Sequence, residues 1–183
     1  VATEAPAAEA PAAEAPAAEG APEDVCATDE YGCAKIEPGQ TIKIGMGSPM
    51  TGGDASFGID AEQSGKLAVA DAEDFNGFQF ELLAEDDQGA AEGGAAVANK
   101  FVADPTLVGV AGHLFSGATF AAAPIYEAAG IPMMSPSATN PGLTQQGFKV
   151  FNRVPFTDAA QGEAAADFIY NELGIRKIAV LHD

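Results

Sequence analysis

The sequence predicts an α/β protein: a three-layer fold with one parallel sheet and helices on both faces, occupying residues 41–155. Two observations carry this prediction. From Thr41 onward, short strand-like runs alternate with segments of helical length, the order imposed by a parallel sheet with crossover helices. At the centre, Leu107 to Ala111 and Ile131 to Met134 read as apolar strands on either side of a helix, Ser116 to Ala129. A strand, helix and strand so closely spaced make a βαβ unit, whose strands must run parallel. The 183 residues suffice for one or two domains with a core of ordinary size.

The elements follow in order. Residues 1–24 repeat EAPAA from Glu4, Glu9 and Glu14, and Pro6, Pro11 and Pro16 interrupt any helix. Lacking large apolar side chains and carrying charge of one sign, this stretch is expected to be an extended, disordered linker. Cys26 and Cys33, the only cysteines, frame a short loop without the further Cys or His that a zinc site requires. A local disulfide and an oxidising compartment are the preferred reading; two free thiols are the alternative. Residues 1–40 thus form a linker plus this loop. Thr41 to Met46 alternates as a strand, a glycine-rich loop follows, and Gly58 to Phe75 shows small apolar residues on one helical face. Gly77 should end that helix before a strand, Phe78 to Leu83. A helix through Ala95 to Val102 stops ahead of Pro105. After the central unit come a turn-rich loop, Pro141 to Gly147, and a strand, Lys149 to Val154. Asp158 and Gln161 have the spacing of a capping box, opening a helix that closes at Gly174, and a last strand is expected at Lys177 to Leu181.

Charge excludes several functions. The formal net charge is -19, with nine acids against Lys35 alone in residues 1–40. Such a chain repels nucleic acid and anionic headgroups. No run of 18 apolar residues offers a membrane span. Known chemical motifs fail in turn. Gly45-x-Gly47 is followed by Met50 where the dinucleotide fingerprint needs Gly, and Gly65-Lys66 lacks the rest of a phosphate-binding loop. His113 has no spaced partner and is expected in a turn or the core; Asp86-Asp87 reads as a solvated turn rather than a cation site. No metal, cofactor or catalytic set is expected.

What remains points to binding. In open parallel sheets, ligands sit beyond the carboxyl ends of the strands. Ser116 lies there after one strand, and Ser135, Ser137 and Thr139 after the next. Ser116 also falls where a helix begins, so backbone N–H groups and the positive end of the helix dipole favour a small anion such as a carboxylate.

Several stretches, in order, resemble a known family: IKIGMGSPMTG with Phe57-Gly58, EDDQG, AAVANKFV, GHLFSGAT, PIYEAAGIPMMSPSAT, FNRVPFTDAAQG and IAVLHD. Residues 41–183 resemble the amino-terminal part of the Leu/Ile/Val-binding proteins, the periplasmic (type I) substrate-binding proteins of branched-chain amino-acid ABC transporters. The resemblance implies two α/β lobes closing on an amino acid, with residues 41–155 the first lobe and 156–183 the start of a truncated second one. Ser116 then resembles the hydroxyl that binds the ligand carboxylate. Thr139 resembles a residue whose backbone and hydroxyl meet the ligand's polar groups, and Ser137 one whose carbonyl takes the ammonium; Ala138 lies between them in the same contact loop. Phe57 stands where an aromatic walls the side-chain pocket, and Leu114 and Phe115 line it. Some members join the positions of Gly89 and Phe115 by a disulfide, which this chain cannot do. The implied protein is a monomeric, extracytoplasmic solute-binding protein without enzyme activity, anchored through lipid upstream of Val1. It would deliver an amino acid to ABC permease membrane subunits. The alternative is the ligand-sensing domain of a receptor with the same fold; an α/β enzyme is a third class.

Overall fold

The computed structural model describes residues 25–180. The expected linker at 1–24 and residues 181–183 lie outside the described residues. A single helical turn, α1 (Val25–Thr28), precedes a loop closed by a disulfide between Cys26 and Cys33, with Cα atoms 5.2 Å apart. The loop is tied to the body by Glu30, which pairs with Lys149 at 2.7 Å.

The body is a five-stranded sheet in the order β2-β1-β3-β4-β5, with every neighbouring pair parallel. Its strands are β1 (Ile42–Ser48), β2 (Phe80–Asp86), β3 (Leu107–Ala111), β4 (Met133–Ser135) and β5 (Phe151–Arg153). After β1 the chain moves to one side to form β2, then crosses back over β1 to form β3. Since crossovers are right-handed, reversing direction puts the connecting helices on opposite faces. Packing bears this out. On α2 (Ala55–Asp71), a Cβ at Gly65 would meet Met46 and Leu82, while one at the next strand position, Gly45, would meet Phe101 of α3 (Ala91–Val102). Successive strand residues face opposite ways, so α2 and α3 cover different faces.

The core lies on the α3 side. Val97 and Phe101 of α3 pack with Ala122, Ala123 and Tyr126 of α4 (Ser116–Ala129) over Val110 and Met133. A fully buried side chain of this size contributes on the order of 1.5–3 kcal/mol. The two helices approach until a Cβ at Gly94 would lie 2.5 Å from the Ala118 carbonyl oxygen. Gly130, with φ 68°, ends α4, and the Ile131 amide returns to the Tyr126 carbonyl.

Four expectations need correction. The helix expected to reach Phe75 ends at Asp71, because Asn76 and Gly77 adopt positive φ and bring Phe75 and Phe78 together in a tight turn. The strand expected at Phe78 accordingly begins at Phe80. Thr157, not Asp158, caps α5 (Asp158–Asp167): its hydroxyl accepts from the Ala160 amide, while the Asp158 amide is already bonded to the Thr139 carbonyl. Among the described residues 174–180 there is no strand, since no neighbouring strand is present to pair with one.

Candidate functional site: a groove at the carboxyl ends of the strands

The direction reversal around β1 leaves a crevice between the carboxyl ends of β1 and β3, where connections depart to opposite faces. A groove of about 380 Å³ opens beside it. Phe57, Asp60 and Ala61 supply one wall from the first turns of α2. Leu114 and Phe115 come from the loop after β3, and Pro136 and Ser137 from the loop after β4. Thus Phe57, Leu114, Phe115 and Ser137, expected from sequence, share one groove. Phe57 is 61% exposed, as a wall of an open site would be.

The other three expected residues flank the groove. Ser116 is the first residue of α4, and its Oγ accepts a hydrogen bond from the Asn140 amide at 3.2 Å. The helix start at Phe115 has no side-chain cap, so its first-turn N–H groups are available to an external acceptor. Thr139 offers its carbonyl to the Asp158 amide. Ala138 is 1% exposed; its amide donates to Ser135 Oγ and its carbonyl accepts from Arg153. Its side chain is therefore part of the loop's packing. The Ser137 hydroxyl donates to the Leu114 carbonyl at 2.7 Å, tying the two loops across the groove.

Asp60, Ala61 and Pro136 escaped the sequence reading. Asp60 and Ala61 stand three and four residues after Phe57, on the same helical face, and that spacing could have revealed them. The acidic pair is also corrected: Asp86 and Asp87 do not form a solvated turn. Asp86 accepts from the Met50 amide at 2.8 Å, the Gln88 amide at 2.9 Å and the Thr51 hydroxyl. Burial pushes its carboxyl pKa up, but these hydrogen bonds together outweigh burial and hold it below the ordinary value. Asp87 is fully buried against His113, which lies in the core, one of the two places expected for it. Among the described residues no cluster of His, Cys, Asp or Glu could hold a metal ion.

A larger hollow, about 500 Å³, lies at the opposite end of the sheet beneath the disulfide loop. Its carboxylate, Asp104, is committed to Lys43 at 2.7 Å. The carboxyl-end groove, with loops and a helix N-terminus converging on it, is the candidate site.

Residues 41–183 match the family described as Periplasmic binding protein, and the chain belongs to that family. Its relatives sharpen the class. An amino acid binding protein of Pseudomonas aeruginosa is 37% identical over 145 residues, covering 78% of this chain and 39% of the relative. The leucine-, isoleucine-, valine-, threonine- and alanine-binding protein of the same organism is 40% identical over 147 residues, with the same two coverages. Among solved structures, the branched-chain amino acid transporter substrate-binding protein LivJ of Streptococcus pneumoniae, in complex with isoleucine, superposes with a TM-score of 0.68. It is 32% identical, covering 74% of this chain and 39% of its own. The chain therefore spans about two fifths of the length of these relatives. They are binding proteins rather than enzymes, and membership of the family implies an extracytoplasmic location.

Proposed function

We propose that this chain supplies the first lobe of an extracytoplasmic solute-binding protein that captures an amino acid with an aliphatic side chain and hands it to an ABC permease. The supporting observation is the groove itself. Phe57, Leu114 and Phe115 offer apolar surface for a side chain, and the uncapped start of α4 beside Ser116 offers N–H groups to a carboxylate. Isoleucine and its relatives have those two ends, and the isoleucine bound by the similar streptococcal protein agrees with them. Residues 156–183 would begin the second lobe, the linker at 1–24 would lead to a lipid anchor, and the protein would work as a monomer.

Chemistry on the ligand is not part of this reading. Both ring nitrogens of the buried His113 already have partners, Asp87 and Tyr126, so it cannot serve as base to a groove hydroxyl. Calorimetric titration of the full-length protein with the common amino acids tests the proposal. Leucine, isoleucine and valine should bind most tightly, at micromolar or lower dissociation constants. A protein that binds none of them, or binds a charged amino acid better, would refute it.

A further inference from the structure

The loops that wall the groove are joined by a buried polar cluster that none of the groove's lining residues belongs to. His113 and Asp87 have no exposed side-chain surface, and Tyr126 is equally buried. Asp87 Oδ2 lies 2.7 Å from His113 Nδ1, and the Tyr126 hydroxyl lies 3.1 Å from Nε2. With the carboxylate as acceptor, Nδ1 carries the proton, and in the neutral ring Nε2 accepts from Tyr126. Burial first, and the charge of Asp87 second, raise the Tyr126 pKa well above its ordinary value, so the hydroxyl stays a donor.

The cluster reaches the loops after β3 and β4 that line the groove. Asp87 Oδ1 accepts from the Gly89 amide at 2.9 Å. Gly89 in turn sits against the Phe115 ring, which a Cβ there would approach to 2.8 Å. The His113 carbonyl accepts from Ser135 Oγ at 2.6 Å, and Ser135 Oγ accepts from the Ala138 amide. Thr119, one turn into α4, donates to the same His113 carbonyl at 3.2 Å. The imidazole itself lies over Gly47 of β1, where any Cβ would fall 2.3 Å from the ring. One residue thus ties the end of β2, the start of α4 and the loop after β4 to β1.

The geometry points to His113 as a positioning residue for ligand binding: with Asp87 and Tyr126 it fixes the spacing between residues 114–116 and 137–139, and so sets the affinity of the groove without touching the ligand. This rests on the reading of the groove as an amino-acid site. A buried polar cluster with every member satisfied specifies one arrangement, whereas removing one partner leaves the others unpaired and the arrangement loose. The polar choice has a rationale, because an apolar trio could fill the same space but could not orient three loops at once.

Tyr126→Phe is the sparing variant, since it removes one oxygen and keeps the packing; Asp87→Asn and His113→Gln are the companions. In the full-length protein without ligand, the backbone amide signals of Ser116 and Thr139 in NMR spectra should move in all three. Their leucine affinity should fall roughly 5- to 10-fold, the scale of one buried hydrogen bond. His113→Gln, which keeps a donor and an acceptor, should lose less than His113→Ala. Melting temperature is recorded in parallel, because a residue that only supports the core would lower it and leave the other readouts alone. Amide signals that stay in place in Tyr126→Phe overturn the inference whether or not leucine binds. Signals that move while the affinity stays within about twofold, under 0.5 kcal/mol, overturn it too. Wild-type protein that binds no amino acid would instead refute the ligand reading, and the ligand-free amide signals would then decide the positioning role alone.

Discussion

Ser116 Oγ accepts from the exposed amide of Asn140, a partner it can release when a ligand carboxylate arrives. Water can take over the Asn140 amide, so the exchange costs little. Ser116→Ala in the full-length protein should weaken leucine binding roughly 10- to 100-fold, the worth of a hydrogen bond to a charged group. The loss in stability should stay below about 1 kcal/mol, the scale of one net hydrogen bond. Calorimetry and thermal melts together check this; an unchanged affinity would make the hydroxyl a loop tie alone. Asp60 stands beside Phe57 in the same groove with an exposed carboxylate. It should repel ligands with a second negative charge, so Asp60→Asn should improve competition by glutamate against leucine by about fivefold, the effect of a like charge a few ångströms away in water. Equal competition in both proteins would place Asp60 outside the ligand's reach. The residues expected from sequence and those missed differ in kind. Ser137 lies in a run of hydroxyls after a strand, and Phe57, Leu114 and Phe115 sit in stretches that resemble a known family. The contact between Asp87 and His113 spans 26 residues and exists only once β2 and β3 flank β1.

Loop 49–51, between β1 and α2, is held by a carboxylate from a different strand. Asp86, the last residue of β2, receives the Met50 amide and the Thr51 hydroxyl, and its pKa lies below the ordinary 3.8. A depressed carboxylate contributes stability above the unfolded-state pKa and loses it as the pH falls through the folded one. The loop should therefore hold its place at neutral pH and loosen only below about pH 4. Melting curves between pH 2 and 7 should show less acid sensitivity in Asp86→Asn than in wild type; parallel curves would mean the loop does not depend on this charge. Secondary structure was legible where one pattern acts alone. β1, α3, β3 and α4 overlap their expected ranges because periodicity and glycine or proline boundaries agree. α2 ends before its expected limit because an Asn-Gly turn overrides the helix-compatible residues before it. The last strand failed for another reason, since no feature of its own sequence supplies a neighbour.

Across the molecule, burial divides the chain near Val154. Before it, a core runs from Ile42 to Phe151; after it, α5 has no buried residue, and Phe156 and Val180 are 81% and 79% exposed. Apolar side chains at such exposure gain nothing from the fold described here, each forgoing on the order of 1.5–3 kcal/mol of burial. The groove is open in the same sense: Phe57 on its wall is 61% exposed. This sets the affinity expected of the 183-residue chain by itself. If the full-length protein binds leucine near 1 μM, about -8 kcal/mol, and opposing surfaces contribute comparably, this chain retains about -4 kcal/mol, near 1 mM. Contacts left open to water are weaker still, because the dielectric around each charge-assisted hydrogen bond is higher. NMR titration of the 183-residue chain should therefore show leucine-dependent shifts at residues 114–117 and 137–139 that saturate only in the millimolar range. Calorimetry of the full-length protein should give a far smaller constant. Equal micromolar constants would show that the groove at the carboxyl ends of β1, β3 and β4 is the whole site, and that the residues after Val154 serve something other than the ligand.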